Sequence, residues 1–277
     1  MQVLLIAGFG DIARRAAPLL ERRFAITRLA RSAGFDLDAR PVLEPLEVQA
    51  LLHCVPPAAI GERDVRTANL LAALDASGAV PRRVVYLSTS GVYGDCHGER
   101  VAEDRPAKPM TSRARRRLEA ERQLEEWCSR RAAALVILRV PGIYAAERLP
   151  LERLRARLPA LRAEDDVYSS HIHADDLAAI VARSLEDQAP AGIYNAADDT
   201  EMRMGDWLDL VADHAGLPRP PRVERALIGE MLPAEMLSFM QESRRLDNRR
   251  LKAVLGVRLR YATVKEGLRH EHALGID

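Results

Sequence analysis

The sequence predicts an α/β fold: a doubly wound parallel sheet with a small, mainly helical C-terminal lobe. Three features predict it. Short apolar runs of strand length recur along the first two thirds of the chain. Helical patterns alternate with them. A glycine turn joins the first run to the first helix. Val3–Ala7 is apolar at every position, as a strand covered on both faces should be. It runs straight into the turn and has no basic residue before it, so it reads as a strand rather than a signal peptide. After the turn, Ile12, Ala16, Leu19 and Leu20 recur at helical spacing. Phe24–Ala30 reads as the second strand and Leu51–Val55 as another, stopped by Pro56-Pro57. Glu62–Ser77 is helical by pattern, Arg83–Leu87 is a buried strand, and Ala114–Arg131 is a long charged helix. Ala134–Val140 is a strand stopped by Pro141-Gly142. His171–His173 leads into a helix over Asp175–Leu185, and Ile193–Asn195 reads as the last strand. Right-handed crossovers place the C-terminal ends of these strands on one edge, where ligands bind. Beyond about residue 198 the chain turns helical and Pro-rich. The expected division is a core of about 1–145 plus 166–197 and a substrate lobe of about 146–165 plus 198–277.

Charge excludes some partners. The 277 residues carry 41 basic and 40 acidic side chains, a net +1, which gives no basis for binding nucleic acid or an anionic membrane. All but three of the basic residues, Lys108, Lys252 and Lys265, are arginine. Cys54, Cys96 and Cys128 are odd in number and widely spaced, which argues against a disulfide framework or a zinc site and fits a reducing cytoplasm. No apolar run reaches the ~18 residues of a membrane span. The expectation is a cytoplasmic monomer or homodimer, with a small molecule as its partner.

Gly8-Phe9-Gly10-Asp11-Ile12-Ala13 has the GxGxxA form between a buried strand and a helix, the context that gives the motif meaning. Gly8 permits the tight turn, Gly10 lets a pyrophosphate approach the backbone, and Ala13 keeps the helix close to the sheet. Free N–H groups at the helix start favour the phosphates. No acid lies between Glu21 and Asp36 to hold a ribose 2′-hydroxyl; Arg28, Arg31 and Ser32 fill that stretch. An arginine there can hold a 2′-phosphate, so the expected cofactor is NADP, with NAD as the alternative.

The segment Leu87-Ser88-Thr89-Ser90-Gly91-Val92-Tyr93-Gly94-Asp95 resembles the strand-end motif of extended short-chain dehydrogenase/reductases, the NAD-dependent epimerase/dehydratase family. Arg139-Val140-Pro141-Gly142-Ile143-Tyr144 resembles that family's loop beside the nicotinamide. His171-Ile172-His173-Ala174-Asp175-Asp176-Leu177-Ala178 resembles its "IHVDDLA" segment, and Arg245–Leu268 resembles its C-terminal closure. The GxGxxA turn is similar to that of an atypical branch. The resemblance implies a Rossmann-type core. It adds Val55, Pro56, Ser88, Pro141, Gly142 and Ile143 to the cofactor wall made by Gly8, Gly10, Asp11, Ile12, Ala13, Arg31 and Ser32.

The family's chemistry uses a Ser or Thr, a Tyr and a Lys. Thr89, four residues before Tyr93, matches the first. The Tyr-x-x-x-Lys pair is missing. With Glu121 taken as the family's helix glutamate, Arg113 stands at the tyrosine position and Arg117 at the lysine position. Arginine does not deprotonate near neutral pH and cannot replace the tyrosine. Tyr261-x-x-x-Lys265 lies in the C-terminal closure, away from any such strand, and is not the active site. Tyr93 and Tyr144 are the candidate substitute acids; the bland reading of each is a packed ring with a satisfied hydroxyl. Arg113 and Arg117 share a helix face, where they either clamp an anionic substrate or lie solvated, and Arg148 and Tyr168 join them as expected substrate contacts. His171 and His173 have too few partner ligands for a metal site, and Asp175 and Asp176 suit a helix cap. Met231, Leu232, Met236, Leu237 and Met240 form an apolar stripe, read as core, lid or dimer contact. Two readings stay open: an oxidoreductase or epimerase-like enzyme with altered acid/base groups, and a non-catalytic NADP-binding redox sensor or regulatory protein.

Overall fold

A computed structural model of the protein describes residues 1–273. Six parallel strands form the central sheet: β1 (Gln2–Ala7), β2 (Phe24–Leu29), β3 (Ala50–His53), β4 (Arg83–Thr89), β5 (Ala134–Val140) and, after a two-stranded excursion, Gly192–Asn195. That excursion pairs β6 (Gly142–Tyr144) with β7 (His171–His173), so Gly192–Asn195 is β8. The sheet order is β8-β5-β4-β3-β1-β2, every pair parallel. The sequence reverses direction across the sheet between β1 and β3, and this is where a doubly wound sheet opens its crevice.

The crossover helices are α1 (Asp11–Leu20), α2 (Val65–Ser77), α3 (Ser112–Arg130) and, following β7, a helix over Ala174–Ser184. One apolar cluster joins Ile12, Ala16 and Leu20 of α1 to Leu177 and Val181 of that later helix beneath Leu4, Val85 and Leu138. A second, on the opposite face, joins Leu70 and Leu74 of α2 to Leu124 and Trp127 of α3 beneath Leu5, Leu51 and Ile137. Helix starts follow their caps. α2 begins at Val65, later than the apolar pattern suggests, because the Asp64 carboxylate accepts the N–H groups of Arg66 and Thr67. α3 begins at Ser112 because the Thr111 hydroxyl accepts from Ala114 N.

α4 (Leu151–Arg155) fills the excursion between β6 and β7, and the helix after β7 is then α5 (Ala174–Ser184). The remaining helices are α6 (Met204–His214), α7 (Arg225–Met231), α8 (Ala234–Ser238) and, after a short turn at Arg249–Ala253, α9 (Val264–Ala273). Tyr144, Leu154, Trp207, Leu208, Val264 and Leu268 pack as a third cluster that ties these elements to the end of β6. The methionine stripe is not one helix. Pro233 splits it, so Leu232 and Met240 are buried against Leu161 and Ile228 while Met231 stays exposed. Among the described residues, no helix is long and apolar enough to cross a membrane.

Candidate active site

Two cavities open along the C-terminal edge of the sheet. The first, about 420 Å³, follows the crevice between β1 and β3. Gly8, Gly10, Asp11, Ile12 and Ala13 line it, with Val55 and Pro56 after β3, Ser88 at the end of β4, and Ile143. Gly8 sits at φ +84, and a Cβ there would come within 2.8 Å of Val55 Cγ2, so only glycine lets the two strand ends converge. Gly10 differs: a Cβ there meets nothing within 4 Å. The space above Gly10, at the positive end of α1, is the cradle a pyrophosphate needs.

At the far end of this groove Arg31 is exposed, and Ser32, which does not line the groove, lies beside it in the same turn. Arg28 turns away to stack over Phe9. Asp36 and Asp38 line the same end. The acid-free stretch expected from the sequence therefore stops short: the turn at Arg31–Ala33 brings the next acids back into the groove. Asp38 is held by Arg66 Nε and Nη2 at 2.6 and 2.7 Å.

The second cavity, about 350 Å³, adjoins the first and shares Ile143 and Arg148 with it. Thr89, Arg113, Pro141, Gly142, Tyr144 and Tyr168 line it. Pro141 and Gly142 thus face this cavity rather than the groove. Met236 and Phe239 from α8 and its end also line it, so part of the methionine stripe walls a pocket. The Thr89 hydroxyl oxygen accepts the Gly91 N–H at 3.2 Å, which leaves its proton free to be donated.

Arg113 and Arg117, one turn apart on α3, serve different cavities. Arg117 lines the groove and donates to the Leu87 carbonyl at 2.7 Å and the Tyr86 hydroxyl at 3.2 Å. Arg113 lines the second cavity and rests on the Phe239 ring at 4.7 Å. They do not form one clamp, because β4 ends between them. Arg153, which the sequence did not single out, also lines the second cavity. Its Nη2 donates to the Pro159 carbonyl, its Nε has no hydrogen-bond partner among the described residues, and the Asp166 carboxylate lies near enough to act on its charge.

The two substitute phenols are placed poorly for proton transfer. Tyr93 lines neither cavity. It is 1% exposed, donates to Asn195 Oδ1 at 2.8 Å and lies beneath the Arg139 guanidinium. Burial pushes its pKa up to about 12, opposite to what a catalytic phenol needs. Tyr144 presents its ring to the cavity, but its hydroxyl points to the Thr263 carbonyl and Gly267. Tyr261 is buried with its ring 4.2 Å from His173. Burial also pushes the Cys54 thiol in the groove up to about 12, which keeps it protonated and unreactive.

Beneath the junction lies a buried ion pair. Arg139 Nη2 donates to Glu121 Oε2 at 2.8 Å, with side chains 5% and 2% exposed, and Ser88 Oγ donates to Glu121 Oε1. This locks the ends of β4 and β5 to α3. His173, rather than either aspartate, caps α5 by accepting Asp175 N–H. The Asp176 carboxylate takes the N–H groups of Arg260 and Tyr261 at 2.7 and 2.9 Å, fixing the C-terminal segment. Among the described residues, no group of three or more His, Cys, Asp or Glu is arranged to hold a metal.

His171 lines the second cavity, with Nε2 at 3.2 Å from Ser169 Oγ. Burial lowers its pKa to about 4, and that of His53, beside β4, to about 3. Both folded values lie below the unfolded one near 6.5. Their stabilising contribution is therefore full above about pH 6.5 and is lost progressively as pH falls from there toward the folded values. Each is expected to cost roughly 2 kcal/mol between pH 7 and pH 5. Urea unfolding at the two pH values should show this loss, and His171→Gln should remove about half of it.

A parallel sheet with a glycine turn at its switch point and a second pocket at the strand ends defines the class of dinucleotide-binding α/β proteins. The chain matches the NAD dependent epimerase/dehydratase family over residues 56–197, half its length, and it belongs to that family. Among solved structures it is similar to a conserved protein of unknown function from Silicibacter pomeroyi, at 31% identity and TM-score 0.79 over 99% of both chains. It is also similar to a protein from Methylobacillus flagellatus described as an NAD-dependent epimerase/dehydratase, at 26% identity and TM-score 0.73 over 100% of this chain and 99% of that one. RMD from Pseudomonas aeruginosa, solved with NADPH, shares the fold at 20% identity and TM-score 0.74 over 99% and 98%. No curated protein matches.

Proposed function

We propose that the protein binds a nicotinamide dinucleotide in the groove and acts on a small anionic molecule in the adjoining cavity, as an NAD(P)-dependent enzyme of the epimerase/dehydratase type. The observation that carries this reading is the continuity of the two cavities through Ile143 and Arg148, with Thr89 beside the junction. When bound, the dinucleotide supplies hydride donor or acceptor chemistry at its nicotinamide. Gly8–Ala13 hold the pyrophosphate; Val55, Pro56, Ser88 and Ile143 complete the groove. Thr89 donates its free proton to a substrate oxygen. With the Tyr93 hydroxyl held by Asn195 and the Tyr144 hydroxyl turned to the Thr263 carbonyl, water carries the proton that the family's tyrosine would handle. Arg113 and Arg153 bind the substrate anion, with Tyr168 as a further wall. Segments 146–165 and 198–277 act as the substrate lobe. Arg31 supports NADP, Asp36 at the same end supports NAD, and the ratio of Kd for NADPH and NADH decides between them.

A screen of alcohols, ketones and sugar acids, followed at the nicotinamide absorbance, tests the reading. Thr89→Val should lower turnover roughly 10²–10³-fold without changing NADPH affinity. Arg113→Ala should weaken binding of an anionic substrate much more than that of NADPH. Equal loss of both ligands would contradict the assignment of Arg113.

One observation favours a second reading. The Tyr93 and Tyr144 hydroxyls are taken up by Asn195 and by the Thr263 carbonyl, as suits a non-catalytic NADP-binding sensor. In that case NADPH binds, but no compound in the screen turns over.

A further inference from the structure

Arg148 occupies an unusual position. It ends a short turn, Ala146–Arg148, that crosses the N-terminus of α1, and it lines both cavities. Its Nη1 donates to Asp11 Oδ2 at 3.0 Å. Asp11 is the first residue of α1 and lines the groove beside the open space over Gly10. The other Asp11 oxygen, Oδ1, is held separately by Arg15 Nε at 2.9 Å. Arg15 also pairs with Glu147, the neighbour of Arg148, and with Asp175 of α5. The crossing turn is therefore pinned to α1 through Glu147 and Arg15, while Arg148 reaches on to the lip of the groove.

We infer that Arg148 is a ligand for the dinucleotide pyrophosphate, held in reserve by Asp11 and exchanged onto a phosphate oxygen when the dinucleotide binds. The inference rests on the dinucleotide reading of the groove. Exchange is cheap, because Asp11 keeps Arg15 as its partner when Arg148 leaves. It is favourable, because a guanidinium beside a phosphate makes charge-assisted hydrogen bonds that a single contact to an already paired carboxylate does not match. Asp11 thereby acts against binding twice: it occupies Arg148, and it sets a negative charge beside the incoming phosphates. Since Arg148 also walls the second cavity, its exchange changes that wall when the dinucleotide binds.

The test is a titration of NADPH into the full-length protein and its Arg148→Ala, Arg148→Gln, Asp11→Asn and doubly substituted Asp11→Asn/Arg148→Ala variants, each first shown to melt cooperatively. Loss of Arg148 should weaken NADPH binding roughly tenfold or more. Asp11→Asn should tighten it several-fold, and that gain should vanish in the double variant, since it depends on a freed Arg148. Should Arg148→Ala not fold, Arg148→Gln reads the same loss. Wild-type affinity in the Arg148 variants, or an Asp11→Asn gain that persists without Arg148, overturns the inference and leaves the groove assignment standing. Failure of the wild-type protein to bind either NADPH or NADH overturns both.

Discussion

Gly10→Val is expected to leave the fold intact and remove dinucleotide binding. Most substitutions in a tight turn confound stability with function, and Gly8 shows why: its φ of +84 and its approach to Val55 mean that any side chain there strains the protein itself. Gly10 is free of both constraints. Its φ is −82, and a Cβ meets nothing within 4 Å. A side chain begun there starts in open space, where it obstructs a ligand drawn to the N–H groups of α1. Overpacking of this kind costs about 3 kcal/mol, roughly 100-fold in Kd. A melting temperature within about 2 °C of wild type, together with that loss of NADPH affinity, is the expected result. A variant that melts early would show that Gly10 serves the fold instead.

Glu121→Ala is expected to have the largest effect on stability. Glu121 neutralises Arg139 in the interior and accepts from Ser88. Its removal strands a buried guanidinium, a loss of about 3–5 kcal/mol. Replacing both partners with apolar residues, Glu121→Leu with Arg139→Met, should recover most of that loss, because the pair as a whole gains little over well-packed hydrophobic groups. The functional consequence is separate. The pair ties β4 and β5 to α3 just below Thr89 and Pro141, so the double variant should be stable yet impaired at the junction. Chemical unfolding and NADPH titration of the two variants separate these effects.

The sheet was readable from the sequence because its strands are covered on both faces. Val3–Ala7 is apolar without interruption, Ala134–Val140 is apolar except for Arg139, and both fall within a residue of the observed strands. The glycine turn was readable because its conformation is local, with Gly8 at positive φ directly before α1. Arg113 and Arg117 were correctly placed on one face of α3, but a helix face says nothing about what lies opposite it. The end of β4 falls between them and sends one to each cavity. Tyr93 followed the family motif in sequence, yet its hydroxyl is satisfied by Asn195, 102 residues away, a partner no local pattern reveals. The return of Asp36 and Asp38 to the groove depends on the three-residue turn at Arg31–Ala33. Arg153 carried no signal at all. It sits among several arginines in a short amphipathic stretch, and only the packing of α4 turns it inward.

The central claim is that this groove holds a nicotinamide dinucleotide with its reactive end beside Thr89. A crystal structure of the protein with NADPH tests it most directly. The pyrophosphate is expected over Gly10 at the start of α1 and the nicotinamide between Thr89 and Gly142, at the junction of the two cavities. A dinucleotide bound elsewhere, or bound in the groove with its nicotinamide turned away from Thr89, would contradict it.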